Sequence, residues 1–127
     1  MTSLSVLLNF VNGTYKTQKT YSTGTNSNSV SVSNINNDNK PDIITANPGD
    51  NTISILLNLG NRIFQNQIIC TVGSAPWLVE INDVNSDNKF DIIVSNKGAN
   101  NVGVLVHKQN FLFFFSYINK GILFFFI

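Results

Sequence analysis

Five of the seven acidic residues of this 127-residue chain fall in two nine-residue loops. Residues 34–42 read N-I-N-N-D-N-K-P-D and residues 83–91 read D-V-N-S-D-N-K-F-D. Side-chain oxygens recur at alternate positions, from Asn34, Asn36 and Asp38 in one loop and Asp83, Asn85 and Asp87 in the other. Asp42 and Asp91 close them at the ninth position, and Lys40 and Lys89 stand where a backbone carbonyl would be offered. Carboxylates spaced so closely repel one another, and a hard cation that prefers several oxygen ligands, calcium above all, relieves that repulsion. The loops start like an EF-hand, but that motif needs a glutamate at position 12, where this chain has Thr45 or Val94. An EF-hand is excluded, and a dockerin-like loop fails for the same reason. The sharp turn at position 6 falls to Asn39 or Asn88, the residue type after glycine best able to enter the left-handed region. The second loop has three carboxylates and the first only Asp38 and Asp42, so the first is expected to hold calcium more weakly. The competing reading for each is an Asx-rich turn that binds no metal.

Little else in the sequence points to chemistry. His107 is the only histidine and ends a predicted strand; Cys70 is the only cysteine and reads as a small buried strand residue. No nucleophile elbow, phosphate-cradling glycine loop or Cys/His cluster is present, so the chain is expected not to be an enzyme. The net charge is +1 and the lysines are scattered, which lacks the basic footprint of a nucleic-acid binder. Trp77, at a strand entry, reads as a packing residue. Asn12-Gly13-Thr14 is a sequon that matters only in an exported protein.

The loops must be held by something, and the surrounding sequence shows what. An offset of 49 residues aligns most of the chain with itself: Gly24 with Gly73, Val30 with Val79, Asn47 with Asn96, Gly49 with Gly98, and residues 4–9 with residues 53–58. Short β-branched runs at 29–33 and 78–82 precede the acidic loops, and runs at 43–46 and 92–95 follow them. Further runs at 53–57 and 102–106, and a fourth at 64–72, are bounded by Asn, Gly and Pro, which are strand and turn signals. Four short strands in a period near fifty residues, with no helical pattern, predict a four-stranded antiparallel blade.

The strand, the D-x-N-x-D-x-x-x-D loop and an aspartate running into Ile-Ile together resemble the FG-GAP/VCBS repeats. The stretch 56–64, L-L-N-L-G-N-R-I-F, is similar to that family's "LLNxGNGxF", and 72–76, V-G-S-A-P, to its "VGxxP". The resemblance covers roughly residues 4–107. It implies an all-β fold, a partial β-propeller of about two to three four-stranded antiparallel blades of the integrin-α type, with calcium-binding loops. Residues 1–21 would then be the end of a truncated blade. Residues 22–72 would be a blade with loop 34–42, and residues 73–110 a blade with loop 83–91. The resemblance further implies a non-catalytic calcium-binding module of an extracellular or cell-surface protein, serving adhesion or recognition of a protein or glycan ligand. The alternative is a propeller module of a secreted enzyme acting on glycans or lipids. A propeller of 4–8 blades needs more than this chain supplies, so further blades of a longer chain, or other copies, are expected partners.

Residues 111–127 read F-L-F-F-F-S-Y-I-N-K-G-I-L-F-F-F-I and depart from that pattern. A truncated or artefactual end is the first reading and a fourth strand the second. A membrane anchor comes last, because the run falls short of ~20 apolar residues and carries Asn119, Lys120 and Gly121 inside it.

Overall fold

A computed structural model describes residues 2–108, 111–118 and 121–126. The described residues form thirteen strands and one 3-10 turn, Lys97–Ala99, with no α-helix. The strands are β1 (Ser3–Val6), β2 (Lys19–Ser22), β3 (Ser29–Ser33), β4 (Asp42–Asn47), β5 (Thr52–Leu56), β6 (Asn58–Gly60) and β7 (Ile63–Phe64). They continue as β8 (Ile68–Thr71), β9 (Pro76–Asn82), β10 (Asp91–Asn96), β11 (Asn101–Lys108), β12 (Phe111–Ile118) and β13 (Gly121–Phe126).

Two larger sheets dominate. The first has the order β3-β4-β5-β8 and the second β13-β12-β11-β10-β9, every pairing antiparallel. The 49-residue offset of the sequence is the offset between them, since β3, β4 and β5 recur as β9, β10 and β11. Alternation sets the faces. Ile44, Ala46, Ile53 and Ile55 point from the first sheet into a core completed by Val79, Ile92, Val94 and Leu105 of the second. All eight are nearly or fully buried, and each fully buried aliphatic side chain contributes roughly 1.5–3 kcal/mol. β4 is buried along its whole length. Thr45 turns to the opposite face, where it lines a groove together with Leu4 of β1.

Two elements differ from expectation. The run expected as one strand over 64–72 is divided: Ile63–Phe64 folds back on Asn58–Gly60 as a small hairpin, and only Ile68–Thr71 joins the first sheet. Asn61 and Arg62 take φ of 50° and 66° and make that turn. The Phe64 ring then packs edge-on against Tyr21 of β2, with centroids 5.4 Å apart. At the C-terminal end, β12 pairs with β11 and β13 with β12, so the described part of the phenylalanine-rich stretch extends the second sheet as strands. Among the described residues no helix is long and apolar enough to cross a membrane.

Candidate metal centre

Each acidic loop joins the first strand of its sheet to the second, β3 to β4 and β9 to β10. The two loops share most of their hydrogen bonds. The Asp38 N–H donates to Asn34 Oδ1 at 3.0 Å and to Asn36 Oδ1 at 3.2 Å. Its counterpart Asp87 N–H donates to Asp83 Oδ1 at 3.1 Å and Asn85 Oδ1 at 3.2 Å. Asp38 Oδ1 accepts from the Lys40 N–H, and Asp87 Oδ1 from the Lys89 N–H, both at 2.9 Å. Four non-glycine residues pass through the left-handed region, Asn37 and Asn39 in the first loop and Ser86 and Asn88 in the second, all near φ 60°. Asparagine tolerates that region, which accounts for Asn39 and Asn88 at position 6. The loops are thus curled so that alternate oxygens turn inward onto the chain's own N–H groups.

The ninth-position aspartates do a different job. Asp42 and Asp91 are completely buried. Asp42 Oδ2 accepts from the Ile35 N–H at 2.9 Å and Oδ1 from the Asn58 N–H at 2.8 Å. Asp91 repeats this with Val84 at 3.0 Å and His107 at 2.8 Å. Asp91 therefore ties the start of its loop to the end of β11, and Asp42 ties its own to Asn58, which opens β6 just beyond β5. Burial pushes the Asp42 carboxyl above the usual range, with the Asp38 charge adding to it against the N–H groups of Asn58, Ile35 and Asn36. At Asp38 partial desolvation pushes upward too, but the Lys40 N–H, the Asn36 amide and the Lys40 ammonium outweigh it and hold this carboxyl below its ordinary value.

The structure brings Asn34, Asn36 and Asp38 together, and likewise Asp83, Asn85 and Asp87. It sets Asp42 and Asp91 inward on strand N–H groups. Among the described residues no group of three or more His, Cys, Asp or Glu side chains gathers as a ready cage. The oxygens present suit a hard cation in kind: carboxylates and amide carbonyls, with no sulfur and no imidazole in the loops. Each inward oxygen that accepts one N–H keeps a second lone pair. The loops differ at their first position, where Asp83 uses both oxygens, accepting also from the Asn88 N–H at 2.8 Å, whereas Asn34 accepts through Oδ1. They differ again at Asp38, which alone among the described residues pairs with a lysine, Lys40, at 3.6 Å.

Sequence reasoning noted that Gly24 and Gly73, and Asn47 and Asn96, recur at the offset, but it gave them no role. In the structure they form pairs. A Cβ on Gly24 would lie 2.6 Å from Asn47 Cγ, and one on Gly73 2.5 Å from Asn96 Cγ. Asn47 is the hub of a buried network, bonded to Ser27, Thr45, Thr52 and Ser54. The offset replaces Ser27, Thr45 and Ser54 by Pro76, Val94 and Gly103. Asn96 keeps only the bond to Asn101 and is left with an unpartnered Oδ1. Co-recurring Gly and Asn at strand ends were the available signal.

The model of the FG-GAP-like repeat family matches residues 34–94, from the start of the first loop to the strand after the second and just under half of the chain. No curated protein and no solved structure matches the chain.

Proposed function

From a chain whose residues 34–94 form an FG-GAP-like repeat, we propose a non-catalytic β-propeller module, stabilised by calcium and used for recognition or adhesion outside the cell. The observation that carries this reading is the duplicated loop. Two segments 49 residues apart hold side-chain oxygens at the same positions in a closely similar hydrogen-bonded curl, each between the first two strands of a sheet. A cation there would draw on the spare lone pairs of Asp83, Asn85 and Asp87, with Asp91 behind them and the Lys89 carbonyl at the seventh position. Asn34, Asn36, Asp38, Lys40 and Asp42 would form the weaker site. The cation would relieve carboxylate repulsion and fix the loop, so its binding energy would add to folding energy.

Two sheets packed over one core support this reading, since in a blade array each repeat covers its neighbour. The make-up of the loops supports placement outside the cell. They lack the glutamate that closes an EF-hand, and sites with few charged ligands fall in the range filled by ~10⁻⁴–10⁻³ M calcium. Recognition would lie in loops at the ends of the sheets, as in other β-scaffolds.

Isothermal titration of the full chain with calcium, after stripping by a chelator, tests this. Wild-type chain is expected to bind calcium with the tighter phase lost in Asp87→Ala and retained in Asp38→Ala. Equal binding by both variants and wild type, or none by any, would contradict the reading.

A further inference from the structure

Three of the eight basic residues of the chain line one groove. Lys16 and Lys19 come from the segment that leads into β2, and Arg62 comes from the turn between β6 and β7. The cavity between them is about 310 Å³, at the small end of the range for small-molecule sites. No acidic residue lines it, and among the described residues no ion pair takes any of the three cations. Lys16 lies over the Phe10 ring at 4.7 Å, a contact that leaves its charge in place. The two walls belong to successive repeats, so the groove is a junction between neighbours.

The repeat shows that the fold does not ask for these charges. At the next junction the 49-residue offset puts Gln65, Ile68 and Phe111 in place of Lys16, Lys19 and Arg62. A second observation concerns the backbone. Arg62 has a φ of 66°, in the left-handed region, where a bulky side chain is an outlier. Its counterpart in the preceding repeat is Gly13, with a φ of 81°, the residue type that such a turn suits. The chain thus accepts strain to hold a guanidinium at a turn that glycine would make freely. Strain of this kind clusters at ligand sites.

We propose that this groove binds a sugar carrying two or more sulfate or phosphate groups. Three cations on one groove call for more than one negative charge. The Arg62 fork suits an oxyanion held through two parallel N–H bonds, and the lysines act as point charges. Val6, Leu8 and Ile63 also line the groove and offer apolar surface to the C–H face of a sugar ring, which a bare inorganic ion would not use. Such a ligand deepens the recognition reading, on which it rests, and needs no oxygen of the calcium loops.

Two probes separate the sources, a trisulfated heparin disaccharide and fructose bisphosphate, each titrated calorimetrically into the full chain in millimolar calcium. The unsulfated disaccharide is the control. Saturable binding of one probe or both is expected, the tighter one naming the source. Lys19→Glu and Arg62→Gly are each expected to weaken it about tenfold or more, and about 0.5 M sodium chloride to weaken it in wild type. Arg62→Gly relieves the left-handed turn, so it is expected to melt no lower than wild type and to take up calcium unchanged. Lys97→Gln, beside Trp77, is expected to bind the probes as wild type does. Binding of neither probe, equal binding of the unsulfated sugar, undiminished binding by Arg62→Gly, or a lower melting temperature in that variant would overturn the proposal. Sugar binding without calcium uptake would leave this site standing and fail the metal reading, and calcium uptake without sugar binding would do the reverse.

Discussion

At Asp91 one carboxylate serves two ends of a sheet. Its two oxygens take the N–H groups of Val84 and His107, and Asp42 does the same for Ile35 and Asn58. Truncating either residue would orphan two N–H groups in a buried place, at about 1–3 kcal/mol each. Asp42→Ala and Asp91→Ala are therefore expected to lose at least about 2 kcal/mol in urea unfolding without calcium, whereas Asp87→Ala, on the exposed part of the loop, loses far less under those conditions. Cys70 offers a second residue-level test. It is 1% exposed, and burial pushes its thiol up to about 11. At pH 8 it stays protonated and shielded, so a thiol reagent is expected to label it only through unfolding. Adding calcium should slow that labelling in wild type and not in Asp87→Ala; rapid calcium-indifferent labelling would show that the core around Ile53 and Cys70 opens freely.

Among the elements, the paired glycines and asparagines separate the two repeats. Gly24→Ala forces a Cβ against Asn47, which four hydrogen bonds hold in place. Gly73→Ala meets Asn96, held by one side-chain bond, which can give way more readily. Gly24→Ala is expected to lower the melting temperature more than Gly73→Ala; the reverse order would show that the Asn47 network is not what stiffens the first sheet. The element scale also shows how far the sequence was legible. β3 falls on the run at 29–33, and β4 and β10 overlap the Asp-Ile-Ile runs, because period-two alternation and Asn/Gly turns are local signals. The division of 64–72 was not legible from β propensity, since the Asn61-Arg62 turn works through φ values and through Tyr21, 43 residues away, which meets Phe64. The acidic residues were legible as a cluster. Their division into a loop group and two buried strand ties was not, because Asp42 and Asp91 acquire partners in β6 and β11 only when the sheet forms.

For the whole molecule, the decisive fact is that the sheets cover one another unequally. Ile44, Ala46, Ile53 and Ile55 are fully buried beneath the second sheet. Their counterparts Ile93, Ser95 and Val104 are half-buried, and Val102 is 45% exposed. Removing a covered side chain should therefore cost more than removing its uncovered counterpart. Ile53→Ala is expected to destabilise by about 2–5 kcal/mol, and Val102→Ala by well under half as much, measured as the shift in urea midpoint. Comparable losses would mean that the outer face of the second sheet is buried in solution, as it would be beneath another repeat or another copy.

The central claim is that the duplicated loops hold calcium and that this stabilises the fold. Thermal unfolding of the full chain in chelator and in millimolar calcium, beside Asp87→Ala, tests it most directly. Saturating calcium at about 100 times the dissociation constant would add about 2.7 kcal/mol. The account predicts a rise in melting temperature on the order of 10 °C, largely abolished by Asp87→Ala. A cooperative transition at the same temperature with and without calcium would contradict it and leave the loops as Asx turns.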